Sequence, residues 1–257
     1  MIISIKNPQV KRIQQLQKKS KVREEEGLFI VEGFNMAKEL PKEMVEKIYI
    51  SESFQKKQEL KLEGISEETL SDNVFSHVSA TQSPQGILAL VRMPKYQKES
   101  FIEKKEPYII MLDSLQDPGN LGTILRTAEA AGVDGVIMNK ECVDIFNPKV
   151  IRSTMGAIFR VPFCIAEDLQ AEIALMKAKG ISVFAAHLEG IKYHNEVDYS
   201  KGSALLIGNE GNGIREEIVA LADEKVQIPM EGEVESLNAA VSAAIFMYEA
   251  YLQRRKR

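Results

Sequence analysis

Cysteine is scarce in this chain, and no apolar run is long. The two thiols, Cys142 and Cys164, are too few for a disulfide framework, and no metal-ligand spacing surrounds them. Both are expected to be buried and reduced. No apolar stretch approaches the roughly 20 residues of a membrane-spanning helix. The opening residues, MIISIKNPQVKR, lack the long apolar core and small-residue cleavage site of a secretion signal. Internal repeats and low-complexity segments are missing too. These absences predict a cytoplasmic protein with no membrane span and no metal. The remaining composition suits a folded chain: 257 residues, 44% hydrophobic and 27% charged, enough for one large domain or two ordinary ones.

A net charge of −4 argues on average against nucleic acid, but the average hides a distribution. Lys6, Lys11, Arg12, Lys18, Lys19, Lys21 and Arg23 crowd the start of the chain, and RRKR (Arg254 to Arg257) ends it. Such segments suit a phosphate footprint, and charge alone suits a solvated helix face equally well.

The first part reads as a small α/β unit. Val10, Ile13 and Leu16 recur at helical spacing through VKRIQQLQKKSKVREEEG, leaving the basic residues outside. GLFIVEG, EMVEKIYIS and QGILALVRM read as strands, and VFSHVSATQSPQG as a polar, turn-rich stretch before the last. PKYQKESFIEKKEP has prolines at both ends and charges throughout, as a linker does. The expected division is residues 1–93, a linker 94–106, and residues 107–257. Beyond the linker, strand-like and helix-like segments alternate: YIIMLDS, NLGTILRTAEAAG, DGVIMN, PKVIRSTMGAIF, VPFCIA, LQAEIALMKAKG, ISVFAAH, SALLIGNEG, VQIPM and SLNAAVSAAIFMYEAYLQRR. This alternation predicts a mostly parallel sheet covered by helices.

Such a sheet holds its ligand at the carboxyl ends of its strands. GNEGNGIR, from Gly208, has Walker-type glycine spacing, but Ile214-Arg215 replaces the lysine and hydroxyl. The dinucleotide fingerprint fails on spacing and on position. Glu210 would also repel a pyrophosphate unless a metal ion stood between them. A ligand without phosphates, such as S-adenosylmethionine, meets no such objection, and glycines let it approach the backbone. In DSLQDPGNLGTILRTAEAAG, Asp117-Pro118-Gly119 forms a turn, Asn120 stands at a helix mouth and Arg126 lies within the helix. In IPMEGEVESLNAAVSAAIF, Ser236 and Asn238 stand at the head of the last helix, where unpaired N–H groups await a partner.

DPGNLGTILRTAEAAG, LLIGNEGNGI and VQIPMEGEVESLNAAVSAAI together resemble, in order and separation, the three motifs of the SpoU class of RNA methyltransferases in the SPOUT superfamily. The resemblance covers roughly Pro107 to the C-terminus. SIKNPQVKRIQQLQ, GLFIVEG and VSATQSPQGILALV resemble the substrate-binding domain often found in this family, a fold similar to a ribosomal RNA-binding protein. The resemblance implies an α/β domain whose C-terminal segment forms a trefoil knot, a homodimer, and methyl transfer from S-adenosylmethionine to a ribose 2′-hydroxyl. The RNA implied is ribosomal ahead of transfer RNA. Asn120, Arg126, Glu210, Ser236 and Asn238 are the implied polar site residues. Gly208, Ile228, Met230, Leu237, Ala186 and His187 are implied at the cofactor. Lys6, Lys11, Arg12, Lys18 and Lys19, with Arg126, are the candidate RNA contacts. Glu210 is expected to orient either Arg126 or Asn120, and the general base stays open, since His77, His187 and His194 lie outside the matching polar positions. The rival readings are a tRNA 2′-O-methyltransferase, a non-catalytic RNA-binding protein and a P-loop phosphotransferase.

Overall fold

The computed structural model describes residues 1–57 and 64–255. Lys256 and Arg257 of the basic C-terminal run lie outside the described residues. The chain divides into two compact units, one of Met1–Lys95 with Phe146–Phe159, the other of Tyr96–Ile145 with the residues from Arg160 onward.

In the first unit, Asn7 caps helix α1 (Pro8–Lys18) by accepting from Gln9 N, and Pro8 supplies the preset first helical position. Val10, Ile13 and Leu16 are fully buried, as their spacing predicts. The helix does not continue through the basic stretch. Lys19 is extended, and a second helix, α2 (Ser20–Glu26), follows. Arg23 turns inward to donate to the carbonyls of Leu16 (2.5 Å) and Gln17 (3.2 Å), serving the open end of α1. It is 3% exposed and is therefore part of the core, not of a basic surface.

Then come β1 (Leu28–Glu32), α3 (Phe34–Lys38), β2 (Val45–Ser51), α4 (Glu52–Lys57), β3 (Glu67–Leu70), α5 (Asp72–Val78) and β4 (Ile87–Arg92). The four strands form one sheet in the order β1-β4-β2-β3. Helix α5 corrects the reading of VFSHV as a turn. Ser71 caps it, and Val74, Phe75 and Val78 sit buried along one face.

In the second unit, α6 (Glu99–Ile102), β5 (Tyr108–Leu112), α7 (Pro118–Ala130) and β6 (Gly135–Asn139) open the α/β alternation. Helix α6 falls inside the segment read as a linker. Phe101 is fully buried, its ring filling the space where a Cβ on Gly135 would stand, and Lys98 pairs with Glu172 at 2.7 Å. An apolar pair amid lysines and glutamates is enough to anchor a short helix that charge alone marks as loop. Helix α8 (Pro148–Thr154), although inside the alternation, belongs to the first unit. There Phe146 and Phe159 flank Phe29, with ring centroids 5.0 and 6.2 Å away.

The second unit continues with β7 (Phe163–Ala166), α9 (Leu169–Ala178), β8 (Ser182–Ala186), β9 (Lys192–Tyr193), β10 (Ser203–Ile207), α10 (Glu216–Val219), β11 (Glu224–Gln227) and α11 (Ala239–Arg255). Its seven strands are all parallel, in the order β7-β6-β5-β10-β8-β11-β9. The central β5 and β10 are buried throughout, which explains their unbroken apolar sequences. Cys142 and Cys164 are free thiols but half-buried, not fully buried. Burial raises their pKa to about 11 and about 12 respectively. Among the described residues no helix is long and apolar enough to cross a membrane.

Candidate active site

Strands β5, β10, β8 and β11 are neighbours and point the same way, so the loops leaving them gather at one end of the sheet. Gly208 follows β10 directly. A Cβ there would stand 2.1 to 2.3 Å from the main chain of Gly213 and Ile214, so only glycine fits. What approaches Gly208 is therefore the chain's own backbone, which corrects the expectation that its missing side chain makes room for a ligand. Asn209 and Gly213 exchange two main-chain hydrogen bonds of 2.8 and 3.0 Å, closing the turn. Asn209 Oδ1 accepts from Gly211 N (2.9 Å) and Asn212 N (3.1 Å), and Asn209 Nδ2 donates to Ser114 O (2.9 Å). The amides of Gly211, Asn212 and Gly213 are thus all engaged. A phosphate cradle needs such amides unpaired, so this loop is not one.

Glu210 stands at the apex of the turn and points at the first-motif loop. Its Oε1 accepts from Asp117 N and Asn120 Nδ2, both at 2.9 Å, and its Oε2 from Gln116 N at 3.1 Å. Of the two partners expected for Glu210, the structure pairs it with Asn120. Partial burial opposes its ionisation, but these donors outweigh that effect and hold its pKa below the ordinary glutamate value.

Asn120 is only 8% exposed. It lies in the first turn of α7, whose cap is Asp117, with Oδ1 accepting from Asn120 N at 2.8 Å. Because a carboxylate can only accept, Glu210 fixes the Asn120 amide with its nitrogen toward Glu210. Asn120 Oδ1 then faces Asn238 and accepts from its Nδ2 at 2.9 Å. Asn238 Oδ1 in turn accepts from Ala240 N (2.9 Å) and Val241 N (3.3 Å), capping α11. One carboxylate thereby orients three motifs through two amides.

Ser236 does not share the cap; it is exposed and makes no hydrogen bond among the described residues. Arg126 is exposed on α7, and its side chain makes no hydrogen bond or ion pair among the described residues. Ile228, Met230 and Leu237 are half-buried. The segment 228–237 makes no hydrogen bond among the described residues, so its main-chain donors and acceptors stand open at the end of the sheet. Ala186 and His187 border the same end, with His187 N donating to Val226 O at 2.9 Å. His187 Nδ1 accepts from Glu189 N (3.2 Å), and the His194 ring packs edge-on to Phe246.

Sequence reasoning missed Asp113, Asn209 and Arg215, which bind the two loops together, and Asn139, which donates to Asp113 from β6. Asp113 was detectable as a carboxylate ending an otherwise apolar strand. A cleft of about 370 Å³ opens beside them, lined by Ser114, Gln116, Asn212 and Arg215 among others. A larger one, about 520 Å³, lies at the amino ends of the strands near Pro107, Ile181 and Gly202. It borders no candidate site residue and stands at the wrong end of a parallel sheet.

Among known proteins, the model of the SpoU rRNA methylase family matches residues 107–248, more than half of the chain. This chain belongs to the SpoU rRNA methylase family. As a SpoU protein it is an RNA methyltransferase, and residues 7–89 match the MRM3-like substrate binding domain. A Bacillus subtilis relative, 23S rRNA (guanosine(2553)-2′-O)-methyltransferase RlmP, is 35% identical over 249 residues, covering 96% of this chain and 97% of its own length. The AdoMet-bound rRNA methyltransferase of Sinorhizobium meliloti is 31% identical with a TM-score of 0.83, covering 99% of this chain and 97% of that one. The SpoU methyltransferase AviRb of Streptomyces viridochromogenes, in complex with AdoMet, is 25% identical with a TM-score of 0.86, covering 97% and 99%. Both confirm the α/β architecture and its mostly parallel sheet.

Proposed function

We propose that this SpoU protein transfers the methyl group of S-adenosylmethionine to a ribose 2′-hydroxyl of ribosomal RNA. The observation that carries this reading is the segment 228–237, whose open main chain leads into Asn238 and the Glu210–Asn120–Asn238 relay. An adenosine with an amino-acid tail needs backbone donors and acceptors and close apolar walls. Ile228, Met230, Leu237, Ala186 and His187 offer them at one end of the sheet, beside Gly208. The spent amides of the GNEGNG turn and the ionised Glu210 disfavour a phosphate in the same place, which sets the P-loop reading aside.

When bound, S-adenosylmethionine supplies an electrophilic methyl group and a neutral thioether leaving group. The protein's part is alignment. Glu210 holds Asn120 and Asn238, and they fix the end of the cofactor segment. Arg126, exposed with an uncommitted side chain, holds the target phosphate and polarises the hydroxyl; the exposed Ser236 of the third motif meets the ribose. Alignment of this kind contributes about 7–11 kcal/mol to such a transfer.

The same reading includes residues 1–93 as the RNA-binding domain, residues 107–257 as the catalytic domain with its C-terminal segment knotted, a homodimer, and a cytoplasmic location. The 35% identity to a 23S rRNA enzyme along nearly the whole chain supports ribosomal over transfer RNA. Val241, Tyr248 and Leu252 form one exposed apolar stripe on α11, which supports a second copy as its cover.

Mapping of 2′-O-methyl groups in rRNA and tRNA from cells lacking this protein tests the reading. One rRNA position is expected to lose its methyl group; a loss confined to tRNA would move the substrate, and no loss anywhere would reject methyl transfer. Arg126→Ala is expected to abolish transfer while calorimetric binding of S-adenosylmethionine survives. Comparable loss of both would remove Arg126 from its assigned role.

A further inference from the structure

Beside the Asn209–Ser114 bond, the GNEGNG turn is tied to the first-motif loop through two carboxylates, and one of these ties lies outside the polar positions of all three motifs. At the end of β5, Asp113 is completely buried. Its Oδ2 accepts from Arg215 N at 2.9 Å, and its Oδ1 accepts from Arg215 Nε at 2.9 Å and Nη2 at 2.8 Å. Asn139 Nδ2 adds a fourth donor at 2.8 Å. A carboxylate shut away from water persists only when its charge and lone pairs are met, and here a forked guanidinium meets most of them.

The two ties are reciprocal. Asp113 reaches from the first loop to the end of the turn at Arg215, and Glu210 reaches from the apex of the turn back to residues 116–120. Between Glu210 and Arg215 the chain has no slack, because the Asn209–Gly213 bonds close the turn and Gly208 packs directly on Gly213 and Ile214. The placement of Arg215 thus determines where the Glu210 carboxylate lands. Lysine could supply the charge but not the fork.

We propose that Arg215 and Asp113 are positioning residues that set the Glu210 carboxylate against the amides of Gln116 and Asp117 through the closed turn. The inference rests on the methyl-transfer reading only for its activity readout.

Amide hydrogen exchange in the full chain tests it directly. In Arg215→Ala, exchange at Gln116 and Asp117 is expected to accelerate about tenfold or more, since each amide gives up a hydrogen bond to a charged acceptor. The amides of β5 and β10 should not change. Because the arginine side chain is 43% exposed, added methylguanidinium should enter the gap and restore protection, whereas methylammonium should not. Unchanged exchange at Gln116 and Asp117 overturns the proposal, as does equal acceleration throughout β5 and β10. In steady-state transfer to rRNA from cells lacking this protein, Arg215→Ala should lower kcat in the native background but not further in a Glu210→Gln background. Additive losses would count against coupling through Glu210. Should the native protein methylate no RNA, the proposed function fails, while the exchange measurement still decides this inference.

Discussion

At the scale of single residues, the site depends on which atoms can only accept. Glu210 can donate nothing once ionised, so Asn120 and Asn238 each have one permitted orientation. Glu210→Gln places an amide NH₂ among donors and removes that rule. We expect kcat to fall about 100-fold, the scale of loss for a small misplacement of reacting groups. The pH dependence has a definite sign. The folded-state pKa of Glu210 is lowered, so its contribution to stability is present above the unfolded value of about 4.3 and is lost as pH falls through the folded value. The difference in Tm between native protein and Glu210→Gln should be constant from neutral pH down to about 5 and shrink below about 4, as followed by thermal unfolding. A difference that grew on acidification would contradict the hydrogen-bond pattern. Gly208→Ala tests the turn itself: its new methyl meets main chain that cannot move aside, so binding of S-adenosylmethionine measured by calorimetry should be lost.

At the scale of elements, most of the helices and strands were legible, and the exceptions share a cause. The stripe of α1 and the apolar runs of β5 and β10 announce themselves because periodicity and burial coincide. Helices α3, α4, α5, α6 and α10 and strands β3 and β9 did not, since each rests on three buried residues or fewer, and only tertiary packing reveals which ones are inside. The site was legible as a set of residues, through its motifs, but not as a network. Asp113 and Arg215 are 102 positions apart, and nothing local links them. Nor could spacing tell that Glu210 takes Asn120 over Arg126. The packing of α6 makes its own prediction. In Gly135→Ala the added methyl would lie 2.3 Å from the Phe101 ring, so the variant should lose about 1–3 kcal/mol in denaturant unfolding. Pairing it with Phe101→Leu should recover part of that loss.

At the scale of the molecule, an acidic protein has to meet a polyanion, and its cations are not equivalent. Lys6, Lys11, Lys18 and Lys19 are exposed, whereas Arg12 is bound to Glu26 at 2.7 Å and Glu46 at 3.2 Å. Alanine at each of the four lysines should weaken rRNA binding and flatten the dependence of log K on log salt, measured by filter binding across a salt series. The slope should fall by roughly 0.7 to 0.9 for each phosphate that is no longer neutralised. Arg12→Ala should lower Tm and leave that slope unchanged. A flattened slope for Arg12→Ala, or none for the lysines, would relocate the RNA surface.

The discontinuity of the first unit bears on how the protein is made. Residues 1–95 leave the ribosome long before Phe146 and Phe159, the two rings that flank Phe29. Until they arrive, that side of the β1 strand is an uncovered apolar surface, so synthesis cannot complete one module and then begin the next. A fragment ending at residue 95 is expected to expose the Phe29 face of β1 and to aggregate, which light scattering of that fragment checks. Any graft of this module onto another catalytic body has to carry Phe146–Phe159 with it, as two pieces of chain and not one.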